Sequence, residues 1–217
     1  MPAIFRPTAN IVAQVVLLGL GVLVVGGALW WWAWPRMDYV RHRSWTVEQP
    51  VPFSHQHHVA GLGIDCRFCH ATVETAGDAG MPPTYTCMTC HSQIWTNATL
   101  LAPVRESLAN NTPIAWRRVT DLPDYVYFNH KIHIAKGVGC ESCHGTIQDM
   151  ALTRKARTLT MGFCLDCHRD PGPNLRPPGS IFDTDWHRTT DTPSPTTLLR
   201  QYHVGGRDLT DCSICHR

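Results

Sequence analysis

The sequence of 217 residues predicts a mostly α-helical and irregular fold, with a single N-terminal transmembrane helix followed by a domain of short helices and long loops. One uninterrupted apolar run stands near the N-terminus. The rest of the chain is broken up by most of the 16 prolines and 16 glycines, and all ten cysteines occur in pairs of one spacing. Proline and glycine end helices and mark turns, so no second long helix is expected.

The apolar run covers residues 11–34 and contains no charged side chain. About 20 apolar residues suffice for a helix to cross a bilayer, and tryptophans at residues 30–34 suit the membrane interface. A cleaved signal peptide is the alternative, but the run exceeds the usual apolar region of about 7–15 residues and no Ala-x-Ala site follows. Residues 1–35 are therefore expected to form an uncleaved anchor with a short flank.

The ten cysteines form five Cys-x-x-Cys pairs, and a histidine follows each pair immediately. Zinc ribbons combine such pairs two by two and need no histidine at the next position. With 13 histidines in 217 residues, chance would place one after all five pairs about once in a million, whereas c-type haem attachment requires it. A disulfide framework would also leave these histidines unexplained. The sequence therefore predicts five haem c groups.

Each motif supplies two thioether bonds to one haem and a proximal ligand to its iron. The predicted attachment residues are Cys66, Cys69, Cys87, Cys90, Cys140, Cys143, Cys164, Cys167, Cys212 and Cys215. The predicted proximal ligands are His70, His91, His144, His168 and His216. We number the motifs sites 1 to 5 in chain order.

The segments before sites 1 and 3 share the pattern Phe-x-His-x-x-His, at residues 53–58 and 128–133. We call them leader 1 and leader 2. Histidines three positions apart lie on one face of a helix, so each leader can supply distal ligands to two adjacent haems. The predicted distal ligands are His55, His58, His130 and His133.

Two further residues are candidates for the remaining distal position. His203 stands nine residues before Cys212, in a weaker third copy of the leader. Met161 stands three residues before Cys164, and methionine ligation raises the haem potential, although plain core packing is its alternative. Among the other histidines, His57 is expected to be a bystander.

The spacing of the motifs predicts an internal duplication. Motifs begin at residues 66, 87, 140, 164 and 212, so the intervals of 21, 53, 24 and 48 residues alternate between short and long. Residues 36–217 are expected to form one haem-packed domain, with dihaem modules at about residues 53–95 and 128–170 and a fifth-haem module at about residues 200–217. The Pro-rich residues 170–197 are expected to form an ordered arm over its surface.

The charges give conflicting signals on orientation. Arg36, Arg41 and Arg43 follow the apolar run while Arg6 precedes it, so the positive-inside rule alone would place the domain in the cytoplasm. Covalent haem attachment takes place outside the cytoplasmic membrane, and this requirement predicts a single-pass protein with its large domain on the periplasmic side. The net charge of +2 gives no support to nucleic-acid binding.

The motifs also carry a family resemblance. The paired leaders resemble those of small multihaem cytochromes of the c3 and c7 kind. The order of "MPPTYTCMTCH", "DYVYFNHKIHIAKGVGCESCHG" and "MGFCLDCHR" after one N-terminal helix is similar to the pentahaem c-type cytochrome subunit (ActA) of alternative complex III, a bacterial quinol-oxidising respiratory complex.

This resemblance implies a membrane-anchored electron-transfer subunit rather than a catalyst by itself. It also implies partners, namely an iron–sulfur subunit, quinone-binding membrane subunits and monohaem cytochromes, and it allows a haem with His/Met ligation.

Two alternatives stay open. One is a quinol-oxidising anchor cytochrome of the NapC/NrfH kind, which as a rule has four haems. The other is a multihaem reductase with one open haem site, a class that often replaces a proximal histidine with lysine.

Overall fold

The computed structural model describes residue 6, residues 8–206 and residues 208–216. The chain forms two compact units, Met1–Arg43 and Ser44–Arg217.

The first unit is dominated by helix α1, Ala9–Ala33, which continues as a 3-10 turn at Trp34–Arg36. Pro35 lies at the change in geometry, since proline cannot donate the next α-helical hydrogen bond. Within Ala9–Arg36, a stretch of 18 residues has a mean hydropathy of 2.4, and no residue of this helix is buried. The predicted apolar helix is thus confirmed, and it is long and apolar enough to cross a membrane.

The second unit is built from short helices joined by long loops. Its α-helices are α2 (Cys66–Cys69), α3 (Thr84–His91), α4 (Ala102–Ala109), α5 (His130–Ala135), α6 (Glu141–His144), α7 (Met161–Arg169) and α8 (Pro195–Gln201). A π-helical turn covers Gln56–Gly61. Within the described residues, β-type pairing is limited to isolated bridges such as Val138 with Leu175. The mostly helical and irregular fold is therefore confirmed.

The cysteine motifs of sites 1 and 5 lie on short helical turns, each of which starts at an aspartate cap. The Asp65 carboxylate accepts a hydrogen bond from the Arg67 backbone N–H (2.8 Å), and Asp211 accepts one from Ser213 (2.8 Å) in the 3-10 turn Cys212–Ile214. Such caps satisfy backbone N–H groups that have no partner inside the helix. At sites 1 and 5 they hold the two cysteines and the histidine on about one turn.

The arm at residues 170–197 is packed into the domain over part of its length. Leu175, Arg176 and Ile181 are buried. The Arg176 backbone N–H donates to the Gly137 carbonyl (2.8 Å), which fixes this stretch beside α5 and α6. The expectation of a surface arm is therefore wrong for this stretch, whose Pro-rich sequence does not reveal its long-range contacts.

Candidate functional site

In three pairs of predicted ligand histidines, the two imidazole rings lie close to each other. The distances between ring centres are 6.2 Å for His58 and His91, 6.4 Å for His130 and His144, and 6.1 Å for His133 and His168. Two imidazoles on opposite faces of one iron would have centres roughly 6 Å apart, because the bond from an imidazole nitrogen to a metal is about 2 Å long. The spacing therefore fits one iron between the rings of each pair.

His55 lies near the proximal histidine of site 1. Burial lowers the pKa of His55 to about 4, and His70 is the strongest of its charged neighbours. The His55 Nδ1 atom is 3.1 Å from the Thr153 hydroxyl, which holds the ring in place. The structure thus brings one leader histidine to each of sites 1 to 4.

The Nδ1 atoms of the predicted ligands share one kind of partner. In seven of these rings Nδ1 lies within hydrogen-bond distance of a backbone carbonyl oxygen. The contacts are His58–Ser54 (2.8 Å), His70–Gly80 (2.7 Å), His91–Ile94 (3.3 Å), His130–Gly77 (2.9 Å), His133–Asn129 (2.8 Å), His168–Leu209 (2.8 Å) and His216–Tyr125 (3.1 Å). An Nδ1–H that donates to a carbonyl fixes the tautomer and leaves the Nε2 lone pair free for a metal.

The electrostatic environment favours neutral imidazoles. Burial lowers the pKa of His144 to about 4 and also lowers the pKa of His58 and of His133. Burial disfavours the charged imidazolium, and the neutral ring is the form that binds metals. These side chains are therefore held in the protonation state that ligation requires.

The two leaders have nearly the same internal geometry. Phe53 stacks on His58 with ring centres 4.4 Å apart, and Phe128 stacks on His133 at the same distance. Each phenylalanine also contacts the other leader histidine edge-on, at 5.0 Å and 4.7 Å. The phenylalanine in the repeated pattern thus positions both imidazoles.

Site 5 is arranged differently from the others. The His216 ring stacks with Tyr125 at 5.9 Å. His203 follows α8, is exposed and has a positive φ of 51°. Met161 is the first residue of α7 and is 63% exposed, one turn before Cys164, whose thiol interacts electrostatically with Cys215 of site 5.

Large apolar side chains are exposed next to the motifs. Phe68 lies between the cysteines of site 1, Tyr85 precedes site 2 and Trp95 follows it, with exposures of 52%, 67% and 64%. Across the described residues, the fully packed apolar side chains are few: Val51, Val73, Val104, Ile134, Met150, Leu175, Ile181 and Leu198. Porphyrin rings bound to the motifs would cover such exposed apolar surface, so the residues present fit haem.

A buried ion pair lies beside site 3, and no sequence motif predicts it. The Arg176 guanidinium contacts the Glu141 carboxylate at 2.7 Å, with side-chain exposures of 7% and 21%. Arg176 also donates to the Asp183 carbonyl (2.6 Å) and lies over the Trp186 ring. Glu141 stands inside the Cys-x-x-Cys pair of site 3, so the ion pair ties the buried part of the arm to that motif.

Comparison with known proteins gives two matches. Residues 126–217, which contain sites 3 to 5, match the family of cytochrome c7 and related cytochrome c. A stretch of 128 residues is 36% identical to the menaquinone reductase, multiheme cytochrome c subunit, of Nitratidesulfovibrio vulgaris (strain Hildenborough); it covers 58% of this chain. The chain thus spans about half (56%) of that relative's length. Residues 126–217 therefore form a cytochrome c7-like multihaem domain.

Proposed function

We propose that this chain is a pentahaem electron conduit, anchored by α1 in the cytoplasmic membrane, with its haem domain on the periplasmic side. The observation that carries the proposal is the set of facing imidazole pairs, with one leader histidine beside each of sites 1 to 4. When bound, haem supplies reversible one-electron chemistry at its iron.

The chain's own residues fit this role better than catalysis on a small substrate. At sites 1 to 4, an imidazole on each face of an iron would leave no position for a substrate, and Nδ1 atoms held by hydrogen-bond partners would keep the rings from turning when the charge changes. A reductase with an open haem site would need one face free. All five motifs end in histidine, which also disfavours the reductases that use a proximal lysine.

We further propose that the conduit belongs to a quinone-linked respiratory complex of the alternative complex III type, in which quinol is oxidised. The relative from Nitratidesulfovibrio vulgaris is named as a subunit of a menaquinone reductase, which supports a quinone-linked partner. The partners we expect are an iron–sulfur subunit, quinone-binding membrane subunits and monohaem cytochromes. In this arrangement α1 packs against neighbouring membrane helices.

The anchor offers a test of the conduit. A Cβ atom added at Gly19, Gly21, Gly26 or Gly27 of α1 would meet no atom within 4 Å among the described residues, and small residues let membrane helices approach closely. Replacing residues 1–35 with a cleavable signal peptide should therefore give a chain that carries five haems by intact mass but no longer co-purifies with its membrane partners. Quinol-dependent electron transfer in those membranes should be lost.

The control is the full-length chain expressed from the same promoter. Full quinol-dependent activity in cells that make only the clipped form would contradict the fixed conduit and indicate a soluble shuttle. A mass increment of four haems or fewer in both forms would instead contradict the haem count.

We propose that Met161 is the distal ligand of site 5, because α7 places it one turn before Cys164, whose thiol interacts with Cys215. Met161→Leu should abolish the absorption band of a sulfur-to-iron bond and lower the highest haem potential in a redox titration. His203→Ala is the matched variant and should leave both unchanged. The opposite result, a new high-spin haem only in His203→Ala, would assign the position to His203.

A further inference from the structure

The two leaders are exchanged between the repeated halves of the domain. His130 of leader 2 contacts Gly77, which follows site 1, through both its Nδ1 atom (2.9 Å) and its backbone N–H (3.0 Å). In leader 1, the Gln56 backbone N–H donates to the Met150 carbonyl (3.1 Å), which follows site 3. Each leader therefore packs on the segment that follows the first motif of the other half.

This exchange brings site 1 next to site 3. The Cys66 and Cys140 side chains lie next to each other. His55, close to His70 of site 1, is also an electrostatic neighbour of His144 of site 3. Two motifs that are far apart in the sequence are thus in direct contact.

The remaining sites extend outward from this central contact. Site 2 neighbours site 1 through leader 1, whose His58 ring lies 6.2 Å from the His91 ring of site 2 and whose His55 lies beside site 1. The Cys87 and Cys69 thiols also interact electrostatically. Site 4 neighbours site 3 through leader 2, whose two histidine rings lie 6.4 Å from the His144 ring of site 3 and 6.1 Å from the His168 ring of site 4. The Cys167 and Cys143 thiols also interact electrostatically. Site 5 follows site 4, since His168 is hydrogen-bonded to Leu209, three residues before Cys212.

Exposure of the cysteines agrees with this arrangement. Of the ten attachment cysteines, all of which the structure describes, Cys90 of site 2 and Cys212 of site 5 are exposed, while the others are partly buried. Motifs at the ends of a row have neighbours on one side only, so their outer thiols face solvent.

We propose that the haems lie in the spatial order 2–1–3–4–5, so that the haems of sites 2 and 5 are the two ends of the conduit and electrons cross between the repeated halves from site 1 to site 3. This inference rests on the proposed function, because it takes all five sites to hold haem. It assigns the docking positions of the donor and the acceptor to opposite ends, one beside site 2 and the other beside site 5.

A pair of ligand variants in the full-length, haem-loaded protein tests the order. His55→Ala removes the distal ligand near site 1, and His58→Ala removes the one facing His91 of site 2. Each variant should create one high-spin ferric haem, whose large magnetic moment broadens the EPR signals of its direct neighbours. We expect His55→Ala to broaden two low-spin signals, from sites 2 and 3, and His58→Ala to broaden one, from site 1.

An order that follows the sequence gives the reverse pattern, with one broadened signal in His55→Ala and two in His58→Ala, and would overturn the proposal. If another ligand replaces the lost imidazole, the iron positions can be measured by electron microscopy of the haem-loaded protein. The proposed order requires the irons of sites 1 and 3 to be direct neighbours. The intact mass of the protein gives the number of bound haems. Fewer than five haems would contradict the proposed function. Five haems in another spatial order would contradict only the proposed order.

Discussion

His130→Ala should convert one haem per chain from low spin to high spin and sharply slow electron transfer through the protein. The His130 ring faces the His144 ring at 6.4 Å and at an angle of only 8°, so its loss leaves one face of the site 3 iron without an imidazole. The variant also loses the Nδ1 contact with Gly77. A neutral hydrogen bond of this kind contributes about 0.5–1.5 kcal/mol, so the domain should still fold.

The measurement is an EPR spectrum of the oxidised protein, together with carbon monoxide binding to the reduced protein. We expect one low-spin signal to disappear and about one equivalent of carbon monoxide to bind per chain, because the open iron face accepts a ligand. The matched control is His57→Ala, which removes an exposed leader histidine that stacks on Trp95 at 6.1 Å. Unchanged low-spin signals in His130→Ala would contradict the assignment of His130 as a ligand.

Arg176→Met should lower the free energy of unfolding by about 3–5 kcal/mol, the cost of leaving one member of a buried ion pair without its partner. Glu141 would then hold an uncompensated carboxylate at an exposure of 21%. The contacts of Arg176 with the Asp183 carbonyl and the Trp186 ring would be lost as well. Guanidinium unfolding of the haem-loaded protein, followed by far-ultraviolet circular dichroism, measures the change.

Two variants control this experiment. Arg118→Ala removes one member of an exposed ion pair with Asp121, at 3.9 Å and with exposures of 78% and 67%, and should cost at most about 1 kcal/mol. Combining Arg176→Met with Glu141→Leu removes both buried charges and should recover most of the lost stability, because well-packed apolar residues often replace a buried pair at little cost. An Arg176→Met protein as stable as Arg118→Ala would show that the buried pair does not hold the arm.

Several features of this protein could be predicted from its sequence because they depend on neighbouring residues. The spacing of a Cys-x-x-Cys-His motif places two thiols and an imidazole on about one helical turn, whatever the rest of the chain does. The apolar run likewise predicts α1, since a helix satisfies its own backbone hydrogen bonds. The repeated Phe-x-His-x-x-His pattern identified two similar local structures, and their phenylalanine and histidine rings do pack alike.

The tertiary structure decided how these local parts combine. His58 faces His91 and His133 faces His168, and no periodicity relates the members of these pairs, because the loops between them are irregular. Arg176 is buried against Glu141, and no motif in the sequence relates these two residues. Contacts between segments distant in the chain depend on how the whole domain closes, so the ligand pairs, the buried ion pair and the contact between sites 1 and 3 emerge only in the folded chain.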